Sequence, residues 1–188
     1  MGDFNWAHKF TAKWEGGISD HPADKGGYTA YGVSTALMKD ICSRRGGQAF
    51  LSGLGLVPPV NRAFMRKITK DTAARIFNFE FWLPLALDEI PDPLACVWYD
   101  MAVNHGKGRA TRLIQQALNN SLKAGLKVDG ASGPLTKKAA MKAGKVCAQE
   151  ALRLRMTFFN NLCQANPSQQ VFLNGWLNRA KDLQKYIA

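Results

Sequence analysis

Apolar residues recur at helical spacing along most of the chain, whereas apolar and polar residues rarely alternate over the length of a strand. One example is the helix face shared by Phe4, Ala7, Phe10 and Trp14, which Asp3 can cap. Further helices are expected to begin near residues 34, 69, 93, 108, 134, 145 and 168. The spacing therefore predicts a mainly α fold. Residues 46–62, which are rich in Gly and Pro, are expected to form a surface excursion.

A Gly-rich, polar stretch at residues 16–33 interrupts the helical pattern. It is long for a loop in a compact domain, and loops of this length are often functional. We expect it to form a small β-hairpin or an irregular loop. The 188 residues suffice for one domain or two small lobes, and Pro91 and Pro93 mark the best boundary. The expected organisation is two helical lobes around a groove, residues 1–91 and residues 92–188, packed as one compact body.

The formal net charge of +11 favours a polyanionic partner. Nucleic acid, an anionic membrane surface and a bacterial wall with acidic peptides and phosphodiester polymers all meet this condition. A nucleic-acid-binding protein would concentrate Lys and Arg on one recognition helix, but here they spread from Lys9 to Lys185. No apolar run approaches the roughly 20 residues that span a bilayer. We therefore expect neither nucleic-acid binding nor stable membrane insertion.

The four cysteines are widely spaced, with neither a CxxC pair nor a short Cys/His cluster, and the three histidines are dispersed. We therefore expect free thiols, no metal site and no cofactor. The N-terminal sequence lacks the basic start, the apolar stretch and the cleavage site of a secretory signal. The expectation is a protein made in the reducing cytoplasm without a signal peptide, so a target outside the membrane would require a delivery partner.

Three side chains suited to glycosidic hydrolysis lie at the start of the Gly-rich stretch and within it. Glu15 ends the first apolar helix face, and Asp24 and Thr29 follow. Hydrolysis needs one carboxyl group that gives a proton to the leaving oxygen, and a second group on the other face of the sugar. Glu15 is the candidate acid, and Asp24 with Thr29 can place the attacking water. Alternatively, Glu15 is a solvated residue of the last helical turn and Asp24 a turn residue.

Four sequence elements occur in order along nearly the whole chain. They are the segment at residues 15–32, the Phe81-Trp82 pair with residues 98–106, the Asp-Gly-x-x-Gly-Pro-x-Thr run at residues 129–136, and the Gly-Trp-x-x-Arg run at residues 175–179. Together they resemble glycoside hydrolase family 108, whose members are bacterial and phage N-acetylmuramidases. The last two elements are similar to the peptidoglycan-binding-type region associated with that family.

The resemblance implies a lysozyme-like helical fold and cleavage of the β-1,4 bond between N-acetylmuramic acid and N-acetylglucosamine in peptidoglycan. It also implies that Glu15 is the catalytic acid, with Asp24 and Thr29 in the water-placing role. Ala30 stands where the family often has Asn. That departure bears on a sugar contact rather than on the acid.

Tyr31, Asn104, Trp82 and Asp100 are the predicted substrate-binding residues. An amide or a phenol can bond N-acetyl groups, and an aromatic ring can stack on a sugar face. Each residue has an alternative role. Tyr31 can belong to the core, and Asn104 can cap the helix that ends at Gly106. Trp82 can be a packing residue, and Asp100 can be an internal hydrogen-bond partner.

The resulting expectation is a monomeric peptidoglycan hydrolase that acts in the periplasm or cell wall after release. Its expected partners are peptidoglycan and a holin or another delivery system. Three other readings stay open at this point. A lytic transglycosylase would use a single Glu and form an anhydro-sugar. A non-catalytic wall-binding module and a basic helical nucleic-acid-binding protein are the other two.

Overall fold

The computed structural model describes residues 1–19 and 28–188, and it confirms the mainly α fold. The helices are α1 (Phe4–Glu15), α2 (Thr35–Ser43), α3 (Gly47–Ser52), α4 (Arg62–Met65), α5 (Lys70–Phe77), α6 (Leu94–His105), α7 (Lys107–Leu122), α8 (Pro134–Ala140), α9 (Lys145–Ala165) and α10 (Gln170–Tyr186). A π-helical turn occupies Asn78–Trp82, and 3₁₀ turns occupy Leu83–Leu85, Leu87–Glu89 and Pro167–Gln169. The strands are β1 (Ile18–Ser19), β2 (Thr29–Ala30) and β3 (Val33–Ser34).

Polar side chains cap helices α1, α2 and α5 at their first turns. The side-chain oxygens of Asp3, Ser34 and Thr69 each accept a hydrogen bond from the backbone N–H three residues later, at 3.1, 3.1 and 3.2 Å. These bonds satisfy donors that have no partner inside a helix. They confirm the helix starts that the sequence predicts at these positions.

The strands form a small antiparallel sheet in the order β1-β2-β3. Ala30 pairs with Val33, which leaves Tyr31 and Gly32 as a two-residue turn. Both turn residues have positive φ, 49° and 80° respectively. Such a turn matches the twist of a hairpin and favours Gly at its second position. The hairpin expected within residues 16–33 is confirmed for the part of it that the structure describes.

Residue contacts divide the chain into two compact units. The small unit is Ala12–Glu80, and the large unit combines Met1–Thr11 with Phe81–Ala188. The expected division into two lobes between residues 91 and 92 stays a prediction. In the small unit, β3 packs against α2 and α5. Its buried side chains include Val33, Met38, Ile41, Leu51, Leu56, Met65 and Ile76.

Part of residues 46–62 belongs to the core of the small unit rather than to its surface. Leu51 on α3 and the following Leu56 are buried, so the expected surface excursion is wrong for these residues. Gly47 explains how α3 approaches α2. A Cβ at Gly47 would lie 1.8 Å from the carbonyl oxygen of Ile41, so only glycine permits this approach.

Helix α6 is the buried centre of the large unit. Its residues are buried without a break from Leu94 to Ala102, because the sequence is apolar on nearly every side. Helices α7 and α9 pack against α6, and α10 packs against α9. All four cysteines lie in the described ranges and are free thiols, as expected. Among the helices described, none is both long and apolar enough to span a membrane.

Candidate active site

Glu15 is the last residue of α1 and lies half-buried in the small unit. Gly16 follows with φ of 77°, a backbone conformation that ends helices and favours glycine. The chain then enters β1. The candidate acid therefore lies where a helix ends and the small sheet begins.

The hairpin turn contacts the side chain of Glu15 directly. A Cβ at Gly32 would lie 2.6 Å from Cβ of Glu15 and 3.1 Å from Cζ of Phe77. The backbone N–H of Tyr31 also donates a hydrogen bond to the carbonyl oxygen of Gly17 at 3.0 Å. The turn is thus held against the end of α1, and Glu15 is partly shielded from water by a backbone that has no side chain at Gly32.

Thr29 lies on β2, and Tyr31 lies in the turn that contacts Glu15. Thr29 is half-buried in β2, where it pairs with Ser19 on one side and Ser34 on the other. Tyr31 is also half-buried, so its ring is partly accessible rather than enclosed in a core. Asp24 lies outside the described residues, and its role stays a prediction.

Asp100 is an internal ion-pair partner in the large unit. Its carboxylate accepts hydrogen bonds from Arg155 Nη1 at 2.7 Å, Arg179 Nη2 at 2.8 Å and Thr11 Oγ1 at 3.0 Å. Burial alone would raise the pKa of Asp100, but the two guanidinium groups outweigh it and hold the pKa below its ordinary value. Because Asp100 has no exposed surface, the structure supports the internal role and not a sugar contact.

Asn104 lies one helical turn after Asp100 on α6 and is half-buried. Its Oδ1 accepts a hydrogen bond from Arg155 Nη2 at 3.1 Å. A guanidinium can only donate, so this contact fixes the oxygen of the amide toward Arg155 and turns the Nδ2 amino group away from it. The side chain therefore belongs to the Arg155 network and does not cap the end of α6, where Gly106 is the C-cap residue.

His105 follows Asn104 and is enclosed by aromatic rings. Its ring centroid lies 5.9 Å from that of Phe158 and 6.1 Å from that of Phe159. Within the described residues, neither ring nitrogen has a hydrogen-bond partner. Burial, reinforced by the charge of Arg155, lowers the pKa of His105 to about 3. The described residues contain no group of three or more His, Cys, Asp or Glu side chains that could hold a metal ion.

Trp82 is a packing residue of the large unit. Its ring is fully buried and meets the rings of Phe4 and Tyr99 edge to face, with centroids 5.6 Å apart in both pairs. Its Nε1 donates a hydrogen bond to Asp88 Oδ1 at 2.8 Å. Because its ring has no exposed face, a direct sugar contact by Trp82 has no support. The packing role, which the sequence left open as an alternative, accounts for all of these contacts.

Two protein families match the sequence. Residues 8–106 match the family Glycosyl hydrolase 108. The chain belongs to the glycosyl hydrolase 108 family. Residues 109–181 match a second family, described as a predicted peptidoglycan domain. No curated protein matches the sequence. The chain is therefore a glycoside hydrolase that acts on peptidoglycan.

A solved structure supports the fold of this glycosyl hydrolase. The structure of Brucella abortus SagA is similar, with a TM-score of 0.69 and 24% sequence identity. The similarity covers 97% of this chain and 91% of that one. It confirms the expected lysozyme-like helical fold.

In this glycosyl hydrolase, the Asp-Gly-x-x-Gly-Pro-x-Thr run forms a loop around the side chain of Gln115. Gln115 Nε2 donates to Asp129 Oδ1 at 2.9 Å and to Thr136 Oγ1 at 3.1 Å. Its Oε1 accepts from the backbone N–H of Gly130 at 2.9 Å. One buried amide therefore fixes the shape of the loop, so the motif has a structural role.

The sequence interpretation missed Arg155 and Gln115, although each leaves a signal. Arg155 follows the buried residues Ala151 and Leu152 at helical spacing on α9, so a charge falls on an apolar face. Gln115 on α7 stands four residues after the buried Thr111 and three before the buried Leu118, so it too falls on a buried helix face. A polar group on a buried helix face needs a hydrogen-bond partner, which predicts a network without naming its members.

Proposed function

We propose that this glycosyl hydrolase is an N-acetylmuramidase that cleaves the β-1,4 bond between N-acetylmuramic acid and N-acetylglucosamine. Glu15 is the general acid in this proposal. The observation that carries it is the contact between Glu15 and the Tyr31-Gly32 turn. That contact supports the proposal because it holds the half-buried residue Glu15 against the turn of the hairpin to which Thr29 belongs.

The proposed reaction is a single displacement by water. Glu15 donates its proton to the glycosidic oxygen as the bond from the anomeric carbon to that oxygen breaks. Thr29 holds a water molecule on the opposite face of the sugar, and Asp24 removes a proton from it as its oxygen bonds to the anomeric carbon. The configuration at that carbon is inverted, because water itself is the nucleophile.

Tyr31 is the predicted substrate contact that the small unit supports best. Its ring is partly accessible and belongs to the turn that touches Glu15. A phenol can stack on a sugar and also bond to an N-acetyl group. Asn104 stays a proposed contact through its Nδ2 amino group, whereas Trp82 and Asp100 are assigned structural roles.

The test is digestion of purified cell-wall sacculi, followed by mass spectrometry of the released fragments. Wild-type protein is expected to release fragments with N-acetylmuramic acid at the reducing end. Glu15→Gln should abolish release and leave thermal unfolding nearly unchanged. Glu89→Gln is the matched control, because Glu89 is an exposed glutamate of the large unit, and it should digest walls normally.

Three results would contradict the proposal in different ways. Reducing ends that carry N-acetylglucosamine would mean that the other glycosidic bond is cut. Ends with 1,6-anhydro-muramic acid would identify a lytic transglycosylase and remove the water-placing role of Asp24 and Thr29. Wild-type rates for Glu15→Gln would show that another group is the acid.

We also propose that the enzyme acts in the periplasm or cell wall, after synthesis in the cytoplasm, with a holin or another delivery system as partner. The net charge of +11 supports a diffuse attraction to the anionic wall, which should weaken as salt screens it. The expected state is a monomer.

A further inference from the structure

The large unit carries a surface cavity of about 280 Å³ between α7 and α9. Arg109, Arg112 and Gln116 line it from α7, and Leu154, Phe158 and Asn161 line it from α9. None of its lining residues is acidic. All of them fall within the match to the predicted peptidoglycan domain. None of the residues that line the cavity has a role in the proposed catalytic site.

Arg109 is held over an aromatic ring on the wall of the cavity. Its Cζ lies 4.5 Å from the ring centroid of Phe158, a distance at which a guanidinium is attracted to the face of the ring. The stacking restricts the side chain before any ligand arrives. A restricted side chain loses less conformational freedom when it binds.

Arg112 is held by the Asp-Gly-x-x-Gly-Pro-x-Thr run at residues 129–136. A Cβ at Gly130 would lie 3.1 Å from Cζ of Arg112 and 2.7 Å from the carbonyl oxygen of Gly108. The backbone of Gly130 therefore lies directly against the guanidinium. Because Gln115 fixes that backbone, the motif also sets the position of Arg112.

Neither arginine has an ion-pair partner among the residues that the structure describes. Each guanidinium carries five N–H donors in a planar fork that suits a carboxylate. Two such groups stand three residues apart on one helix, where neighbouring positive charges repel each other mildly. An anion between them would relieve this repulsion and use the free donors.

We propose that this cavity binds a carboxylate of the short peptides attached to the glycan strand, as a second contact with peptidoglycan. The inference rests on the proposed function, because it takes peptidoglycan as the substrate. Arg109 and Arg112 hold the carboxylate. Leu154 and Phe158 form an apolar wall for small aliphatic side chains, and the amides of Gln116 and Asn161 can bond to the peptide backbone.

The lining favours a peptide over a phosphodiester polymer. A phosphodiester chain would be followed best by a row of cations, whereas this cavity has two cations, two amides and an apolar wall. Its volume of about 280 Å³ suits one or two amino-acid residues rather than a long chain.

The experiment measures binding of the full wild-type chain to a soluble peptide of alanine, γ-linked glutamate, lysine and alanine with free carboxylates. The peptide has no glycosidic bond, so its binding does not depend on catalysis. The comparison ligand is the same peptide with its carboxylates converted to amides. Digestion of sacculi is run in parallel, so that a failure of the muramidase proposal is seen separately from a failure of peptide binding.

We expect the amidated peptide to bind roughly tenfold more weakly or worse, since charge-assisted hydrogen bonds are lost. The double variant R109Q/R112Q should show the same loss with the native peptide. R109K/R112K should recover only part of it, because Lys keeps the charge without the fork or the stacking. K181Q/K185Q removes the same charge from exposed positions on α10 that do not line the cavity, and it should bind like the wild type.

Equal binding of the two peptides would overturn the proposal. So would R109Q/R112Q with unchanged affinity, or an equal loss in K181Q/K185Q, which would mean that only the overall charge matters. A last outcome concerns competition for the bound peptide. If a glycerol-phosphate polymer displaces it at a lower concentration than free peptide does, the cavity binds wall phosphodiesters instead.

Discussion

Asp100 and Arg155 form an ion pair at 2.7 Å in which neither side chain is exposed to solvent. Arg155 reaches Asp100 across 55 residues of sequence and also donates to Asn104. Arg179, from the Gly-Trp-x-x-Arg element, completes the pairing. The sequence elements that contain Asp100 and Arg179 thus meet in one buried network, which joins α6, α9 and α10 of the large unit.

We predict that Asp100→Asn lowers the free energy of unfolding by about 3–5 kcal/mol, because it leaves two buried guanidinium groups without a counter-charge. Chemical denaturation at neutral pH measures the change. The matched control is Asp40→Asn on α2, which removes a carboxylate from an ion pair with Arg44 in which both side chains are exposed. That pair should matter little, because water screens it. Equal effects of the two substitutions would contradict the prediction.

Much of the helical fold could be predicted from local signals. The long helices α9 and α10 carry regular apolar spacing, and a proline separates them, so their expected starts near residues 145 and 168 agree with the structure to within a few residues. The region around α3 could not be predicted in this way. Gly and Pro are typical of exposed loops, but Gly47 is required there by a close backbone approach, which only the folded chain reveals.

The candidate site likewise has features that the sequence predicts and features that only the folded chain explains. Glu15 stands out in sequence by residue type and position, but its contact with Gly32 depends on a hairpin whose pairing links distant residues. Trp82 and Asp100 could not be assigned from residue type, since a tryptophan or an aspartate serves equally well in a groove or a core. Their partners, Asp88 and Arg155, decide between the two roles.

The contact between Gly32 and Glu15 predicts a specific loss of activity. Gly32→Ala adds a Cβ 2.6 Å from Cβ of Glu15, at a φ of 80°, so the turn or the acid must move. We expect wall hydrolysis to fall on the order of 10–100-fold, because small displacements of a catalytic group are costly. Dye release from labelled sacculi measures the rate.

The control for that loss is Gly46→Ala in the same unit. Gly46 has a φ of 79° but no neighbouring atom within 4 Å of a Cβ, so the substitution adds the same backbone strain without a clash. We expect a small drop in the free energy of unfolding, about 1 kcal/mol for left-handed backbone at a residue other than glycine. Wall hydrolysis should stay near normal. Matching losses of activity in the two variants would show that backbone strain, and not displacement of Glu15, is the cause.

The amide of Gln115 predicts a local effect in the predicted peptidoglycan domain. Gln115→Leu removes both the acceptor of the Gly130 N–H and the donor to Thr136, and it should lower the free energy of unfolding by about 2–3 kcal/mol. Hydrogen exchange at the Gly130 amide should become faster. Gln116→Leu, at the exposed neighbouring position, is the control and should leave that exchange rate unchanged. Slow exchange at Gly130 in Gln115→Leu would refute the role of the amide.

His105 predicts a loss of stability in mild acid. Its pKa is about 3 in the folded chain and ordinarily 6.5, so between these values the unfolded chain binds more protons than the folded one. Stability should therefore fall as the pH drops from 6.5 toward 3, by up to about 1.4 kcal/mol per pH unit. His105→Leu should flatten this slope. An NMR titration gives the direct measurement: the His105 ring should stay neutral down to about pH 4, and a midpoint near its ordinary value would contradict the enclosure by Phe158 and Phe159.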